Sequence, residues 1–206
     1  MLEKIKKRNE CERMKNLSKE KEWILNYVTG KAMTNELTDD MKRNMKSSFA
    51  PNDEDEKVLY RGYFFETETE FKRFLTQIED NGMMTIHCSS WTTDKFVAMD
   101  FMYGSGYSYY HHVSDEQLIN GFTLLISGDI PEESILFSHL EVLDSLEGEE
   151  HDYQQAIKNL KNEEEFLVDD GRYSIEIDRC SLNGEQIIHE VLGESHPSIC
   201  CIEFGE

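Results

Sequence analysis

Apolar and polar positions follow a helical pattern at the start of the chain. In the first 50 residues, Lys- and Glu-rich stretches surround an apolar run at 23–28, which is typical of an amphipathic helix that Gly30 would end. A second helix is predicted to begin with Thr38 or Asp39 as its cap, because both side chains accept hydrogen bonds from free backbone N–H groups. This part of the chain is therefore predicted to be helical.

Beyond a polar, acidic linker at 47–56, helical and strand patterns both occur. Apolar residues three and four positions apart predict helices over 67–78 and 93–103. Runs of β-branched and aromatic residues predict strands over residues 57–64, 83–90, 121–130, 165–168, 172–177 and 198–204. Two of these strands flank the turn 169–171 and are expected to form a hairpin-like unit, whereas 104–112 predicts an aromatic-rich loop.

Helices mainly at the front and strands mainly behind predict an α+β fold, not a βαβ repeat. We divide the chain into an N-terminal helical segment, residues 1–50, and a core, residues 51–206. No apolar run reaches the ~20 residues that span a bilayer, and the charged N-terminus lacks the apolar segment of a signal peptide. The five cysteines are odd in number and form no CxxC pair, which favours reduced thiols. We expect a cytoplasmic protein with no membrane partner.

The charge is distributed unevenly along the chain. Residues 1–50 carry 12 Lys or Arg against 8 Asp or Glu, whereas residues 51–206 carry 9 against 34. So acidic a core repels nucleic acid phosphates and favours basic partners. Direct nucleic-acid binding is therefore not expected, and each arginine of the core merits individual attention.

The first candidate for chemistry is the arginine of Leu59-Tyr60-Arg61-Gly62. An inward-facing strand arginine needs an anionic partner, because burying an unpaired guanidinium is costly. Its planar fork suits a phosphate or a carboxylate, and Gly62 would leave room for a ligand to approach the backbone. An ordinary strand arginine paired with a local acid is the competing interpretation, and this segment alone favours it.

The second candidate is a cluster of hydroxyls where a predicted strand runs into a predicted helix. Helix capping explains Thr92 or Thr93. It does not use Ser90, which falls at the end of the predicted strand, a position where ligands often bind.

The third candidate is the acidic run Glu163-Glu164-Glu165. In a strand, Glu163 and Glu165 would face the same side, and two carboxylates on one face are disfavoured unless a cation, a substrate or solvent offsets them. A solvated acidic loop is the competing interpretation in so acidic a chain.

Together, the order of these segments resembles the R-S-E class of mono-ADP-ribosyltransferases, and within it the small bacteriophage enzymes of the ModA/ModB type. The resemblance covers roughly residues 57–177 by motif order. Ala98 and Phe101 follow Ser90 by eight and eleven residues, and the run after Glu165 reads Phe-Leu-Val-x-x-Gly, as in the family. The chain departs from it at Trp91, which replaces the middle hydroxyl residue, and at Asp169-Asp170, where the family often has prolines.

The resemblance implies a fold with a mixed β core of two packed sheets behind the N-terminal helical segment, and NAD⁺ as donor substrate without a metal. It assigns Arg61 to a phosphate, Gly62 and Phe101 to the nicotinamide, and Glu165 to the ribose, oriented by Ser90. Thr92 takes the place of the third hydroxyl of the family's triplet and joins the NAD⁺-binding residues.

By the same resemblance, Glu163 would act on an arginine of the acceptor protein, and residues 156–162 would form a loop that contacts this target. A phage-encoded enzyme of this type would modify basic host proteins in the host cytoplasm during host takeover. Two other functions remain open at this point: an NAD⁺ glycohydrolase, and a non-catalytic acidic decoy that binds a basic partner.

Overall fold

The computed structural model describes residues 19–51, 57–103, 121–146, 153–163, 165–199 and 203–204, with the backbone alone for 162, 163, 203 and 204. The helices of this part of the chain are α1 (residues 19–27), α2 (Asp39–Phe49), α3 (Glu68–Leu75), α4 (Lys95–Met102), α5 (His139–Asp144), α6 (Gln154–Glu163) and α7 (Leu182–Leu192). The strands are β1 (Lys57–Phe65), β2 (Met83–Ile86), β3 (Ser89–Thr92), β4 (Phe122–Ile130), β5 (Ile135–Ser138), β6 (Glu165–Val168), β7 (Gly171–Cys180) and β8 (Glu203–Phe204). The predicted α+β class is confirmed.

The strands form one hydrogen-bonded order, β2-β7-β4-β1-β3-β6-β5, in which all neighbours are antiparallel, and β8 joins β7 in parallel. β1 pairs with β4 along its whole length, but it meets β3 at the single pair Tyr60–Thr92. The described strands therefore do not form the two separate sheets that the resemblance implied. They form one hydrogen-bonded order with a join of a single residue pair between β1 and β3.

Two predicted strand arrangements are wrong. The strand predicted over 83–90 breaks at residues 87–88 into β2, which pairs with β7, and β3, which pairs with β6. The hairpin-like unit does not form either, since β6 lies between β3 and β5 while β7 lies between β2 and β4. A carboxylate oxygen of Asp170 accepts a hydrogen bond of 3.1 Å from the Cys88 N–H, and this contact holds the turn after β6 against the break.

The hydrophobic core has two main parts. One lies between the sheet and helices α3 and α7, around Leu59, Phe71, Leu124 and Ile188.

The helix α7 was not predicted. Of the final strand predicted over 198–204, the structure describes a strand only at β8, and the predicted loop 104–112 lies outside the described residues.

The second part of the core joins the N-terminal helical segment to the sheet. Apolar side chains of α1 and α2 pack with those of β5, α5 and α6 in one buried cluster. Helix α2 begins at the predicted cap Thr38, whose hydroxyl accepts the Met41 N–H at 3.3 Å. Lys42 and Lys46, one turn apart along this helix, bind Asp169 at 2.7 and 3.0 Å. These ion pairs connect the N-terminal segment to the turn that directly follows β6, the strand that carries Glu165.

No helix in the ranges given above is both long and apolar enough to cross a membrane.

Candidate active site

A cavity of about 610 Å³ opens where β1 and β3 separate. It lies between this join, helix α4 and the turn that follows α1, and its size is in the range typical of small-molecule sites. The predicted site residues that line it are Arg61, Gly62, Ser90, Thr92, Phe101 and Glu165. Six residues chosen from three separate sequence segments thus meet around one cavity.

The strand register explains this meeting. Thr92 is the partner of Tyr60 on one side and of Glu165 on the other, so it links β1 to β6 through β3. Ser90 lies two residues before Thr92, and side chains two apart on a strand face the same side. The hydroxyl of Ser90 therefore lies on the same face of the sheet as the Glu165 carboxylate of the neighbouring strand, and it favours the ionised form of that carboxyl.

Glu165 is the most perturbed acid of the cavity. Its side chain is only 12% exposed, and burial raises its pKa to about 7, although the hydrogen bond from Ser90 and the charge of Arg61 oppose this shift. The Nε2 atom of His139 lies 3.8 Å from a Glu165 oxygen. Burial lowers the pKa of His139 to about 4, so at neutral pH this ring is uncharged and does not offset the carboxylate.

The side chain of Arg61 lines the cavity, and its guanidinium lies beside strand β3. One terminal nitrogen donates a hydrogen bond to the backbone carbonyl of Ser90, and the Cζ atom lies 5.2 Å from the centre of the Tyr63 ring. Its Nε is buried and has no hydrogen-bond partner among the described residues. The structure gives Arg61 no carboxylate at salt-bridge distance within the described ranges, so the simple ion-paired arginine is not what is observed. A buried, unsatisfied N–H of a cation is a feature that an anionic ligand would relieve.

Gly62 lines the cavity for a reason that the sequence did not indicate. A Cβ atom at this position would lie 2.0 Å from the Ala98 carbonyl oxygen and 2.8 Å from the Met102 nitrogen. Helix α4 therefore fills the space beside Gly62 that a side chain would occupy. The sequence led us to expect that this space admits a ligand, and the structure corrects that expectation. The close approach of α4 in turn brings Phe101 to the cavity.

The predicted cap of α4 is also wrong. Asp94 caps the helix, since its carboxylate accepts the N–H groups of Phe96 and Val97 at 2.8 and 3.4 Å. The Thr92 hydroxyl instead accepts the Asp94 N–H at 3.0 Å and is buried. Asp94 lies two positions after the last residue of β3, directly before the first residue of α4, which is the position from which a side chain reaches the free N–H groups of the first turn.

Glu163 does not lie in a strand with Glu165. It is the last residue of helix α6, whereas Glu165 is the first residue of β6, so the argument from strand alternation is wrong. The helix runs this far because Ala156, Ile157 and Leu160 are buried in the cluster shared with α1 and α2. The side chain of Glu163 lies outside the described part of the structure, and its role stays a prediction.

Two residues of this region were missed by the sequence analysis. Asn159 was placed in a target-binding loop, but it is buried in α6, and its side-chain amide donates a hydrogen bond of 2.6 Å to the Val28 carbonyl. Tyr27 appeared only as one apolar residue of the run at 23–28, whereas its hydroxyl lies 2.8 Å from the Ser90 Oγ. No local pattern marks either residue, because each acts on a segment more than 60 positions away.

The N-terminal helical segment therefore forms one wall of the cavity. Its lining residues come from the end of α1 and the turn that follows, and they are Tyr27, Val28, Thr29, Gly30, Ala32 and Met33. Gly30 has a φ of 70°, a left-handed conformation suited to glycine, which lets the chain turn back over the cavity. The segment is thus part of the site as well as of the core.

Comparisons of the chain with models of protein families, with curated proteins and with solved structures found no match. Among the residues that the structure describes, no group of three or more His, Cys, Asp or Glu side chains is arranged to hold a metal ion. The site must therefore be interpreted from its own geometry and chemistry.

Proposed function

We propose that the protein is an arginine-directed mono-ADP-ribosyltransferase that uses NAD⁺ as donor. The observation that carries this proposal is the convergence of Arg61, Ser90 and Glu165, from three strands distant in the sequence, on one cavity. A structural role alone does not call for a cavity lined by a half-buried cation and a largely buried acid that lies beside a serine. The arrangement suits a substrate that has an anionic part and develops positive charge during reaction.

The donor side of the site follows from these side chains. Arg61 has a buried Nε to which no described residue offers a hydrogen-bond partner, and rotation away from the Ser90 carbonyl would free a terminal nitrogen as well. Together they would bind a phosphate oxygen of NAD⁺ through two hydrogen bonds. Phe101 offers an apolar surface to the nicotinamide ring, and the cavity is lined by more apolar than charged residues.

Glu165 would perform the central electrostatic role. In the reaction, the bond between ribose C1′ and the nicotinamide nitrogen breaks, the electron pair leaves with nicotinamide, and C1′ becomes bonded to a guanidino nitrogen of the target. Glu165, when ionised, places a negative charge beside the positive charge that develops on the ribose, as a carboxylate does in glycoside hydrolysis. Ser90, which lies on the same face of the neighbouring strand, would orient that carboxylate and favours its ionised form.

The acceptor side rests on Glu163. An arginine guanidinium is protonated at ordinary pH, so as a nucleophile it must give up a proton to a base as the new bond forms. We assign this step to Glu163, which ends α6 two residues before Glu165. The acidic charge of residues 51–206 favours a basic target protein for the same reason that it disfavours nucleic acid.

The direct test is incubation of the protein with NAD⁺ labelled in its adenylate part and with a basic, arginine-rich protein. We expect label on the acceptor, and mass spectrometry should locate ADP-ribose on arginine side chains. Release of free ADP-ribose alone, with or without acceptor, would assign the site to NAD⁺ hydrolysis instead. Absence of NAD⁺ consumption together with tight binding of a DNA-binding protein would favour the acidic decoy.

A variant tests the acceptor side separately. Loss of transfer with retained NAD⁺ hydrolysis in Glu163→Ala would support the role of Glu163 toward the acceptor.

The pH dependence of the reaction is a further prediction. Glu165 must be ionised to act, and burial raises its pKa from 4.5 to about 7 in the free protein. We therefore expect kcat/KM for NAD⁺ to rise about tenfold per pH unit below pH 7 and to level off above it. Initial rates in a series of buffers from pH 5.5 to 9, at constant ionic strength, measure this. A profile that is flat between pH 5.5 and 7.5 would contradict the assignment of Glu165 as the ionised group.

A further inference from the structure

Tyr27 carries a hydroxyl from the N-terminal helical segment into direct contact with a side chain of the proposed catalytic centre. Its oxygen lies 2.8 Å from the Ser90 Oγ, across 63 residues of sequence. Ser90 in turn lies on the same face of the sheet as Glu165 of the neighbouring strand, lines the same cavity and lowers the pKa of its carboxyl. The three side chains therefore form a continuous row of polar groups that starts on α1 and ends on the carboxylate of β6.

The direction of hydrogen bonding along this row follows from the chemistry of its members. An ionised carboxylate accepts hydrogen bonds and donates none, so Ser90 must use its single hydroxyl hydrogen on Glu165. The Ser90 oxygen can then only accept from its other neighbour, and Tyr27 must be the donor. Burial, followed by the nearby charge of Glu165, raises the pKa of Tyr27 to about 12, so the phenol keeps the hydrogen that it donates.

The ring of Tyr27 is held so that its hydroxyl has little freedom to move. It stacks on Trp23 with the ring centres 5.1 Å apart and the planes 11° from parallel. The edge of the Phe137 ring lies against it at 6.3 Å and 80°. Both partners are buried, and Phe137 belongs to the neighbouring strand β5. The position of the hydroxyl is thus set by the packing of α1 on the sheet.

We propose that Tyr27 is a positioning residue of the active site, whose hydroxyl holds the Ser90 hydroxyl in the orientation that hydrogen-bonds Glu165. The N-terminal helical segment then supplies an indirect part of the catalytic machinery in addition to a wall of the cavity. The significance of Tyr27 for catalysis rests on the proposed function, but its effect on Glu165 does not require NAD⁺. The two can therefore be tested separately.

The first test measures the carboxyl group of Glu165 directly. The full-length protein would be labelled with ¹³C at glutamate side-chain carboxyls, and Glu165→Gln would assign the Glu165 signal. Without the Tyr27 hydroxyl, the Ser90 hydroxyl in Tyr27→Phe is less polarised and free to rotate. Its interaction with the ionised form of Glu165 is then weaker. We expect the titration midpoint of Glu165 to move upward by roughly half a pH unit. The other groups that face this carboxyl, Arg61 from β1 and His139 from α5, are unchanged in this variant.

A double-mutant cycle shows whether the effect passes through Ser90. In a Ser90→Ala background, Tyr27→Phe should move the midpoint no further, because the connecting hydroxyl is already absent. Tyr173→Phe is the matched control. It also removes the hydroxyl of a buried tyrosine, here one that donates to the Asp169 carbonyl at 3.0 Å, but Tyr173 does not line the cavity. It should leave the Glu165 midpoint unchanged, and thermal unfolding should show both Phe variants folded.

Kinetics with NAD⁺ then connect this effect to catalysis. We expect Tyr27→Phe to lower kcat about 3- to 10-fold with KM changed less than twofold, since a positioning residue acts on the reacting state and not on substrate binding. An unchanged Glu165 midpoint in Tyr27→Phe, or an equal shift in the Ser90→Ala background, would overturn the proposal. A rise in KM alone would do so as well, because it would mean that Tyr27 binds substrate directly. If the midpoint shifts as expected while NAD⁺ is not consumed, the hydrogen-bond chain stands and the proposed function fails.

Discussion

Glu165→Gln is expected to lower the rate of ADP-ribose transfer by about 10²–10³-fold, the loss typical when one preorganised electrostatic group is removed from a closed site. The amide has nearly the same shape as the acid and can still accept the hydrogen bond from Ser90, so the cavity should keep its form. What is lost is the negative charge beside the ribose. Single-turnover measurements of transfer separate this loss from any change in product release.

The same substitution should make the fold more stable at alkaline pH. The pKa of Glu165 is raised in the folded protein, from 4.5 to about 7, so the folded state binds more protons than the unfolded state between these values. The stability of the wild type therefore falls as the pH rises through this window, and the loss is complete above it. The cost of the buried carboxylate is on the order of 3 kcal/mol, which Gln does not incur.

Chemical denaturation of both proteins at pH 4.5 and pH 8 tests this expectation. We expect similar free energies of unfolding at the lower pH and a more stable variant at the higher pH. Glu176→Gln is the matched control, because Glu176 is an exposed strand glutamate outside the cavity, and it should change neither transfer nor stability appreciably. Full transferase activity in Glu165→Gln would remove the basis for the site assignment.

Gly62→Ala is expected to be the most destabilising small substitution near the site. Its Cβ would lie 2.0 Å from the Ala98 carbonyl oxygen and 2.9 Å from the Met102 Cβ, so the backbone of helix α4 must move away from β1. Overpacking of this kind costs about 1–3 kcal/mol or more. Because α4 carries Phe101, we also expect weaker NAD⁺ binding, measured by calorimetry on the fraction that remains folded.

Gly128→Ala provides the control for this effect. Gly128 lies on the neighbouring strand β4, where an added Cβ would lie 3.0 Å from the end of the Ile175 side chain and 3.1 Å from the Ser174 carbonyl oxygen. Shifts of a few tenths of an ångström relieve these contacts, whereas the 2.0 Å contact at Gly62 requires a much larger movement. The loss of stability in Gly128→Ala should therefore be smaller, with NAD⁺ binding unaffected. Equal losses in the two variants would show that α4 yields readily and that Gly62 is not required for its approach.

Local patterns predicted much of the secondary structure. The strand at β1, the helix α2 with its cap Thr38 and the strand β4 lie close to where the sequence placed them. Each depends on the period of apolar residues and on capping side chains within a few positions, and such information is contained in the local sequence. The same information indicated Arg61 and Ser90 as candidates for binding.

Pairing between distant strands was not predictable in this way. The run at 83–90 favours strand throughout, yet its two halves pair with β7 and β6, and at the break between them the Cys88 N–H donates a hydrogen bond to Asp170. The run through Glu163 and Glu165 likewise divides between a helix and a strand, because the buried face of α6 extends the helix to Glu163. Strand propensity predicts that a segment is extended, but it does not predict which strand that segment pairs with.

By itself, the sequence determined an α+β chain, a strongly acidic segment over residues 51–206 and a set of candidate site residues. Only the tertiary structure brought Arg61, Ser90 and Glu165 to one cavity, filled the space beside Gly62 with α4, and placed Tyr27 against Ser90. The physical reason is that hydrogen-bond capacity belongs to each residue type, whereas burial and partner choice depend on contacts between segments that only folding brings together.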